Sequence, residues 1–302
     1  MNRKLLLTAV AAILLTACRQ PTGVSSDYKA ELKKELTAIA DSAKGDVGIA
    51  LIYDGDTLTV NNDAIYPMMS VFKLHQAVAL CRMFEENGTS LDSVMTLRRS
   101  ELDPDTWSPM LKDHSDEEIS LPMRRLLEYT LIESDNNASN EMFVRLMPPA
   151  ACDSVIAGII PRCSFEIRFN EAEMQADHSQ AYSNRTSPLG AAILIDRVFT
   201  DTLVGKDYQD FIKSALMRCQ TGPDKISAAL SEREGITIGH KTGSGYRDEN
   251  GRLAASNDVA FITLPDGRHY SLAVFVKDFD GTDAEAAATI ARISEAVIKA
   301  LE

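Results

Sequence analysis

Ser70-Val71-Phe72-Lys73 sets a hydroxyl and an amine three residues apart. In a helix that is about one turn, so both side chains share a face. A serine hydroxyl is a poor nucleophile until a neighbour takes its proton. A lysine amine takes it only when neutral, the form that burial favours. Ser70 falls where a helix begins, so unpaired backbone N–H groups point at any negative charge that develops there. Taken alone the pair is a weak signal, and its plain alternative is a capping serine with its lysine in water.

Three further clusters carry polar groups that local structure does not require. Ser134-Asp135-Asn136 falls at a helix–helix junction, where a second hydroxyl can hand a proton to a leaving nitrogen and Asn136 can donate to a carbonyl. Simple helix capping would use the same residue types. Lys241-Thr242-Gly243-Ser244-Gly245 ends a strand. Its lysine and threonine can hold an anion, its glycine admits a close approach, and the Ser244 N–H can face an oxyanion. A strand end running into a turn is the alternative. Glu171-Ala172-Glu173-Met174-Gln175 lies in an irregular stretch from about residue 162 to 186. There a carboxylate with an amide nearby can orient and deprotonate water, or simply face solvent.

The elements that must position these groups are legible in the periodicity. Leu74 to Phe84 is apolar nearly all round and stops at Asn87-Gly88, which predicts a buried central helix behind Ser70. Asp27 to Lys44 is an amphipathic helix, and Val47–Tyr53 and Thr57–Val60 form a hairpin around Asp54-Gly55-Asp56. From Ala64 to about Cys219 strand signals nearly vanish, and helix starts recur at Ser120-Leu121-Pro122 and Ser187-Pro188. Asn136 to Met147 and the segment around Tyr208–Leu216 are helical. Strands return at Ile236–Thr242, Asp258–Leu264 and Tyr270–Lys277, and a last amphipathic helix carries Ile290, Ile293, Val297 and Leu301. The expected fold is α/β of the α+β kind. A five-stranded antiparallel sheet carries the terminal helices on one face, with a large all-helical domain inserted between strands 2 and 3. The expected boundaries are 27–63 plus 220–302 for the sheet domain and 64–219 for the helical one, with the site where they meet.

Composition narrows the partners. The 302 residues carry a net charge of −13 and no basic, aromatic-rich patch, which argues against nucleic acid. The histidines at 75, 114, 178, 240 and 269 are scattered without ligand spacing, so a zinc site is unsupported. Asn2-Arg3-Lys4 followed by the apolar Leu5–Leu15 reads as a signal peptide over residues 1–17. Leu15-Thr16-Ala17-Cys18 resembles a bacterial lipobox. It implies an acylated Cys18, a tether over residues 18–26, and a location on the periplasmic face of a membrane. Ordinary cleavage to a soluble periplasmic protein is the alternative. Membrane contact is expected only through Cys18, and a monomer is expected. Cys81, Cys152, Cys163 and Cys219 allow three disulfide connectivities, between which the sequence does not choose.

In the order Ser-x-x-Lys, Ser-Asp-Asn, Glu-x-x-Met-Gln and Lys-Thr-Gly, the four clusters match the motif set of serine β-lactamases and penicillin-binding proteins. The chain resembles a class A serine β-lactamase along its mature length, and Trp107-Ser108-Pro109 resembles that family's aromatic gatekeeper. Asn170–Asp177 and Asn257–Phe261 look most like the cephalosporinase branch of Bacteroidetes-type bacteria. The resemblance implies that Ser70 attacks a β-lactam carbonyl, with Lys73, or Glu171 through a water, as the base. Ser134 protonates the lactam nitrogen. The Ser70 and Ser244 N–H groups hold the oxyanion, Asn136 the side-chain amide, and Lys241 and Thr242 the substrate carboxylate. Glu171 then activates the water that releases product. The resemblance implies neither a metal nor a cofactor.

Four departures stand out. Gln175 replaces the usual asparagine beside that water. Phe169 and Asn184 fall where an Arg–Asp salt bridge often closes the loop, so that lock is expected to be absent. Ser256 falls where many relatives carry a carboxylate-supporting arginine, leaving Arg218, Lys225 or Arg252 as substitutes. Met69 stands in place of the disulfide-bonded cysteine of carbapenem-hydrolysing relatives. The competing readings are a penicillin-binding DD-peptidase, which lacks a Glu171-type base, and a β-lactam-binding lipoprotein that does not turn over.

Overall fold

The computed structural model describes residues 26–302; the expected signal peptide over 1–17 and Cys18 lie outside the described residues. Helix α1 (Ser26–Asp41) turns Leu32, Leu36 and Ile39 inward. Strands β1 (Asp46–Tyr53) and β2 (Asp56–Val60) pair as a hairpin, and its two turn residues, Asp54 and Gly55, both take positive φ, the I′ geometry that Asp-Gly favours. After β3 (Tyr66–Pro67), a 3₁₀ turn at Met69–Val71 runs directly into α2 (Phe72–Asn87). Then come β4 (Val94–Arg98), α3 (Pro109–Asp113), β5 (Glu118–Pro122), α4 (Met123–Ile132), α5 (Asn136–Arg145) and α6 (Pro149–Ala157). They are followed by β6 (Phe165–Glu166), α7 (Glu171–Ala176), β7 (Arg185–Thr186), α8 (Pro188–Thr200) and α9 (Lys206–Met217). The chain closes with β8 (Thr237–Ser244), β9 (Leu253–Thr263), β10 (His269–Phe279) and α10 (Asp283–Leu301).

The main sheet has the order β2-β1-β10-β9-β8, antiparallel throughout. Its inner strands are buried on both faces, because α1 and α10 cover one side and α8 covers the other. Two apolar cores result. One lies between the sheet and the terminal helices, around Leu36, Ile49, Leu272, Ile290 and Val297. The other joins the opposite face to the helices packed around α2. Strand β8 is left at the sheet edge, against the turn that precedes α2.

The inserted region is not all helical. Strands β4 and β5 pair with each other, and β3, β7 and β6 form a second small sheet. Val94-Met95-Thr96-Leu97-Arg98 alternates out and in, and Glu118–Pro122 matches it, so the strand signal was present at period two. Ser120 therefore does not cap a helix. Its hydroxyl pairs with Thr96 across the strands at 2.7 Å, and α4 begins beyond it at Met123. Ser187 does cap α8, accepting from the Gly190 N–H at 3.1 Å. Strand β9 starts five residues before the expected Asp258, because the polar run Ser256-Asn257-Asp258 is buried inside it. The stretch around Glu171 holds a short helix rather than only irregular chain. A capping box between Asn170 and Glu173 starts it.

Helix α2 is buried almost all round, polar residues included. Gln76 exchanges hydrogen bonds with Ser139, donating to its carbonyl and accepting from its hydroxyl at 2.9 and 2.8 Å. His75 has no partner at either ring nitrogen, and burial pushes its pKa down to about 4. The unfolded chain then binds a proton between about pH 6.5 and 4 that the folded chain refuses, so stability falls as pH drops through that window. The slope attributable to His75 is about 1.4 kcal/mol per pH unit at most. Thermal denaturation at pH 4 to 7 should show His75→Leu losing stability less steeply than the native protein. Parallel acid limbs would remove His75 as the cause.

Candidate active site

Ser70 is delivered by a strained turn. Met69, just before it, has φ of +46°, and the Val71 N–H closes the turn on the Met68 carbonyl at 3.1 Å. Asn257 on β9 holds the turn from below, its amide donating to the Pro67 and Met68 carbonyls at 2.8 and 3.1 Å. Gly243 lets β8 pass close by: a Cβ there would sit 2.6 Å from the Met68 carbonyl and 3.2 Å from the Ser70 nitrogen. The glycine thus admits protein backbone, where the sequence suggested a ligand.

One turn into α2, Lys73 is fully buried among four oxygens. Its Nζ lies 3.1 Å from Ser70 Oγ, 2.9 Å from the Ser134 carbonyl, 2.6 Å from Asn136 Oδ1 and 2.8 Å from Glu171 Oε1. An ammonium has three protons, so four oxygens oversubscribe it, and Glu171 Oε1 is the one met as an ion pair without a hydrogen bond. The α4–α5 junction supplies the opposite wall. Ser134 takes φ of +59°, and Asp135 caps α5 through the Ala138 N–H at 2.8 Å while accepting from the Met110 N–H and the Ser108 hydroxyl. Burial pushes the Asp135 carboxyl up against those donors. Asn136 also donates to Thr106 Oγ1 at 2.8 Å. Trp107 stands at the rim, 55% exposed, its indole donating to the Glu133 carbonyl.

From β8, Lys241 donates to Ser134 Oγ at 3.0 Å, so the second hydroxyl has a lysine of its own. Burial pushes Lys241 down to about 7. The Thr242 hydroxyl bonds Thr221. Of the three basic candidates, Lys225 is the one beneath this strand, donating to the Gly243 carbonyl, Ser244 Oγ and the Asn257 carbonyl at 3.1 to 3.2 Å. Arg218 is engaged by Glu128 and Arg252 by Asp248, both at the surface.

Helix α7 brings Glu171 and, one turn on, Gln175 to a cavity of about 200 Å³ that Ser70, Asn136 and Ser244 also line. Among the described residues no Arg–Asp pair joins positions 169 and 184 of the loop that carries it, and the Arg185–Glu166 pair at 2.9 Å lies at its neck. Instead the Asn184 amide, fully buried, accepts from the Arg168 and Phe169 N–H groups at 2.8 and 3.0 Å and donates to the Phe169 carbonyl at 2.8 Å. Asn140 adds a bond to the Ala172 N–H, and Tyr246 both stacks on His178 at 4.0 Å and donates to its carbonyl. Asn257 and Asn184 escaped the sequence reading as positioning residues. Their signal was a polar side chain inside an otherwise buried run.

These groups suit acyl transfer: a lysine-activated hydroxyl, a second hydroxyl as proton carrier, a cationic strand and a carboxylate facing space for water. The fold and site define a serine hydrolase that works through an acyl-enzyme. A model of the β-lactamase enzyme family matches residues 31–301. A β-lactamase of Phocaeicola vulgatus is 54% identical over 271 residues, covering 89% of this chain and 84% of that protein. The extended-spectrum β-lactamase PER-1 of Pseudomonas aeruginosa is 31% identical over 295 residues, 97% of this chain and 93% of its own. A class A β-lactamase from Bacteroides cellulosilyticus superposes with a TM-score of 0.85 at 29% identity, covering 91% of this chain and 98% of that one. The chain belongs to the β-lactamase enzyme family, as a class A serine β-lactamase that hydrolyses β-lactams and confers resistance to them.

Proposed function

We propose that this β-lactamase opens the lactam ring by attack of Ser70 Oγ, with Lys73 taking the hydroxyl proton directly. The observation that carries the reading is the placement of Lys73 Nζ within 3.1 Å of Ser70 Oγ and 2.8 Å of Glu171 Oε1 at once. A proton accepted from Ser70 can therefore be passed on without a bridging water. The Ser70 and Ser244 N–H groups hold the oxyanion, and Ser134, recharged by Lys241, protonates the departing nitrogen. Asn136 binds the acyl side chain and Trp107 flanks it. Lys241 and Thr242 take the substrate carboxylate, and Lys225 supports them from below. Once Glu171 has released the Ser70 proton to solvent, its carboxylate, with Gln175 beside it, deprotonates the water that cleaves the ester. Cephalosporins are the preferred substrates, on the resemblance of Asn170–Asp177 and Asn257–Phe261 to cephalosporinases; a higher kcat/KM for penicillins would overturn that preference. Met69 argues against carbapenem hydrolysis.

Intact-protein mass spectrometry during cephalosporin turnover tests the reading. An adduct should appear and then clear as drug is consumed. A persistent adduct would mean a penicillin-binding or sensing protein, and no adduct with no drug loss would refute the catalytic assignment.

Because Lys241 sits near 7, its charge is lost as pH rises through neutrality, and the carboxylate site weakens with it. KM for an anionic cephalosporin should rise several-fold between pH 6.5 and 8.5 while kcat changes less. A KM independent of pH over that range would remove Lys241 from carboxylate binding.

We further propose export and anchoring through a lipid on Cys18, with the folded domain monomeric. Cys18→Ala should release the mature protein from the membrane fraction, and a protein that stays membrane-bound would refute the anchor.

A further inference from the structure

Behind the Lys-Thr-Gly strand lies a cluster that the hydrolytic reaction does not use. His240, immediately before Lys241 on β8, is buried, and its Nδ1 is 3.0 Å from Asp258 Oδ1 on β9. Asp258 is itself held by the Ile226 N–H at 3.1 Å, so the imidazole is fixed in orientation. The Cys219 thiol, just past the end of α9, abuts this imidazole. With Nδ1 engaged by the carboxylate, Nε2 is the nitrogen left to hold a proton toward the sulfur. On its other side Cys219 Sγ is 3.4 Å from Thr221 Oγ1, which bonds the Thr242 hydroxyl. The thiol is thus one side chain removed from the strand that receives the substrate carboxylate, and it belongs to a Cys–His–Asp constellation.

We propose that Cys219 is a modification site for low-molecular-weight disulfides, activated by the His240–Asp258 pair, and that capping it weakens substrate binding at Lys241 and Thr242. The second half rests on the carboxylate role assigned to those residues above; the first does not. The thiol proton leaves to water, the His240 imidazolium steadies the thiolate, and the thiolate attacks one sulfur of the small disulfide. That S–S bond breaks as the new one forms, and the released thiolate is protonated from water. The small disulfide is the only oxidant required.

The electrostatics agree with the geometry. Burial pushes the Cys219 thiol up, but His240, followed by Lys241, more than offsets it and brings the group down to about 7. Burial opposes the His240 charge, and Asp258 outweighs it, raising the imidazole to about 10. The negative Cys219 in turn favours the charged form of Lys241. A neutral mixed disulfide removes that charge and crowds Thr221. The other cysteines of the described residues have different surroundings: Cys81 and Cys152 are buried, and Cys163 is exposed.

The test is labelling of the folded full-length protein with bis(2-hydroxyethyl) disulfide, an uncharged probe, followed by peptide mapping. At pH 7 Cys219 should be capped about ten-fold faster than Cys163, although Cys163 is the more exposed. Its rate should be nearly flat from pH 7.5 to 8.5, where a thiol without such a partner climbs steeply. His240→Asn should bring the rate down to that of Cys163. Capping of Cys163 first, or a steep rise at Cys219 over that range, would overturn the modification site. The capped protein should show a several-fold higher KM for an anionic cephalosporin, reversed by dithiothreitol and absent in Cys219→Ser. Capping without a change in KM would overturn the coupling, and Lys241→Ala reports separately on the carboxylate site itself.

Discussion

Glu171→Gln should leave the protein acylated. Glutamine keeps the shape of the side chain and its place on the cavity wall beside Ser70, but an amide cannot accept the proton that a water must lose to attack the ester. Lys73 retains the Ser70, Ser134 and Asn136 oxygens and can still accept the Ser70 proton, so ring opening survives, slowed by loss of the onward acceptor. Release should slow by about 10²–10⁴, the range for loss of a general base. Stopped-flow mixing with a chromogenic cephalosporin should then give a burst equal to the enzyme concentration, and mass spectrometry a lasting adduct. If the variant turned over at the native rate, Glu171 would not be the releasing base. If neither burst nor adduct formed, Glu171 rather than Lys73 would be the base for acylation.

Ser70→Ala and Ser134→Ala should part company. The site contains two serine–lysine contacts of nearly equal length, Ser70 with Lys73 at 3.1 Å and Ser134 with Lys241 at 3.0 Å, so proximity to an amine does not by itself select the nucleophile. One further observation does. Both serines sit on strained backbone before a helix, but the lysine of Ser70 has Glu171 as an onward acceptor. Ser134 contacts a lysine whose other partner is the Thr242 carbonyl, which cannot take a proton onward. Ser70→Ala should abolish the adduct and lower turnover by about 10⁶, the scale for deleting a serine nucleophile. Ser134→Ala should lower turnover by about 10²–10⁴ yet still form an adduct that peptide mapping places on Ser70. An adduct on residue 134 in the Ser70→Ala protein would reverse the two assignments.

What the sequence disclosed and what it hid follow a physical divide. Helix α2 and the main strands were legible because burial imposes period and composition over a dozen residues. The polar clusters were legible because each breaks the local pattern without a structural need. Strands β4 and β5 were missed although Met95, Leu97, Ile119 and Leu121 alternate inward, because five residues in a helical context carry little statistical weight. Ser120 misled for a related reason: Ser-x-Pro is a helix-start pattern, but its partner Thr96 lies twenty-four residues away. The loop lock, the choice of Lys225 and the Cys219–His240–Asp258 cluster depend on contacts between distant segments, and no local window contains them.

Asn184 has a consequence for how this chain can evolve. A clamp made by two charged side chains can be broken by a change at either position, so both are constrained. Here the clamp needs one side chain only, because Asn184 bonds main-chain atoms of Arg168 and Phe169 and neither of their side chains. Every residue except proline presents those same atoms. Position 169 is therefore constrained by its packing on the helical core but not by the clamp, and the mutational burden of the clamp itself rests on a single asparagine. A change at 169 that keeps this apolar packing leaves the clamp on the loop of the hydrolytic carboxylate intact.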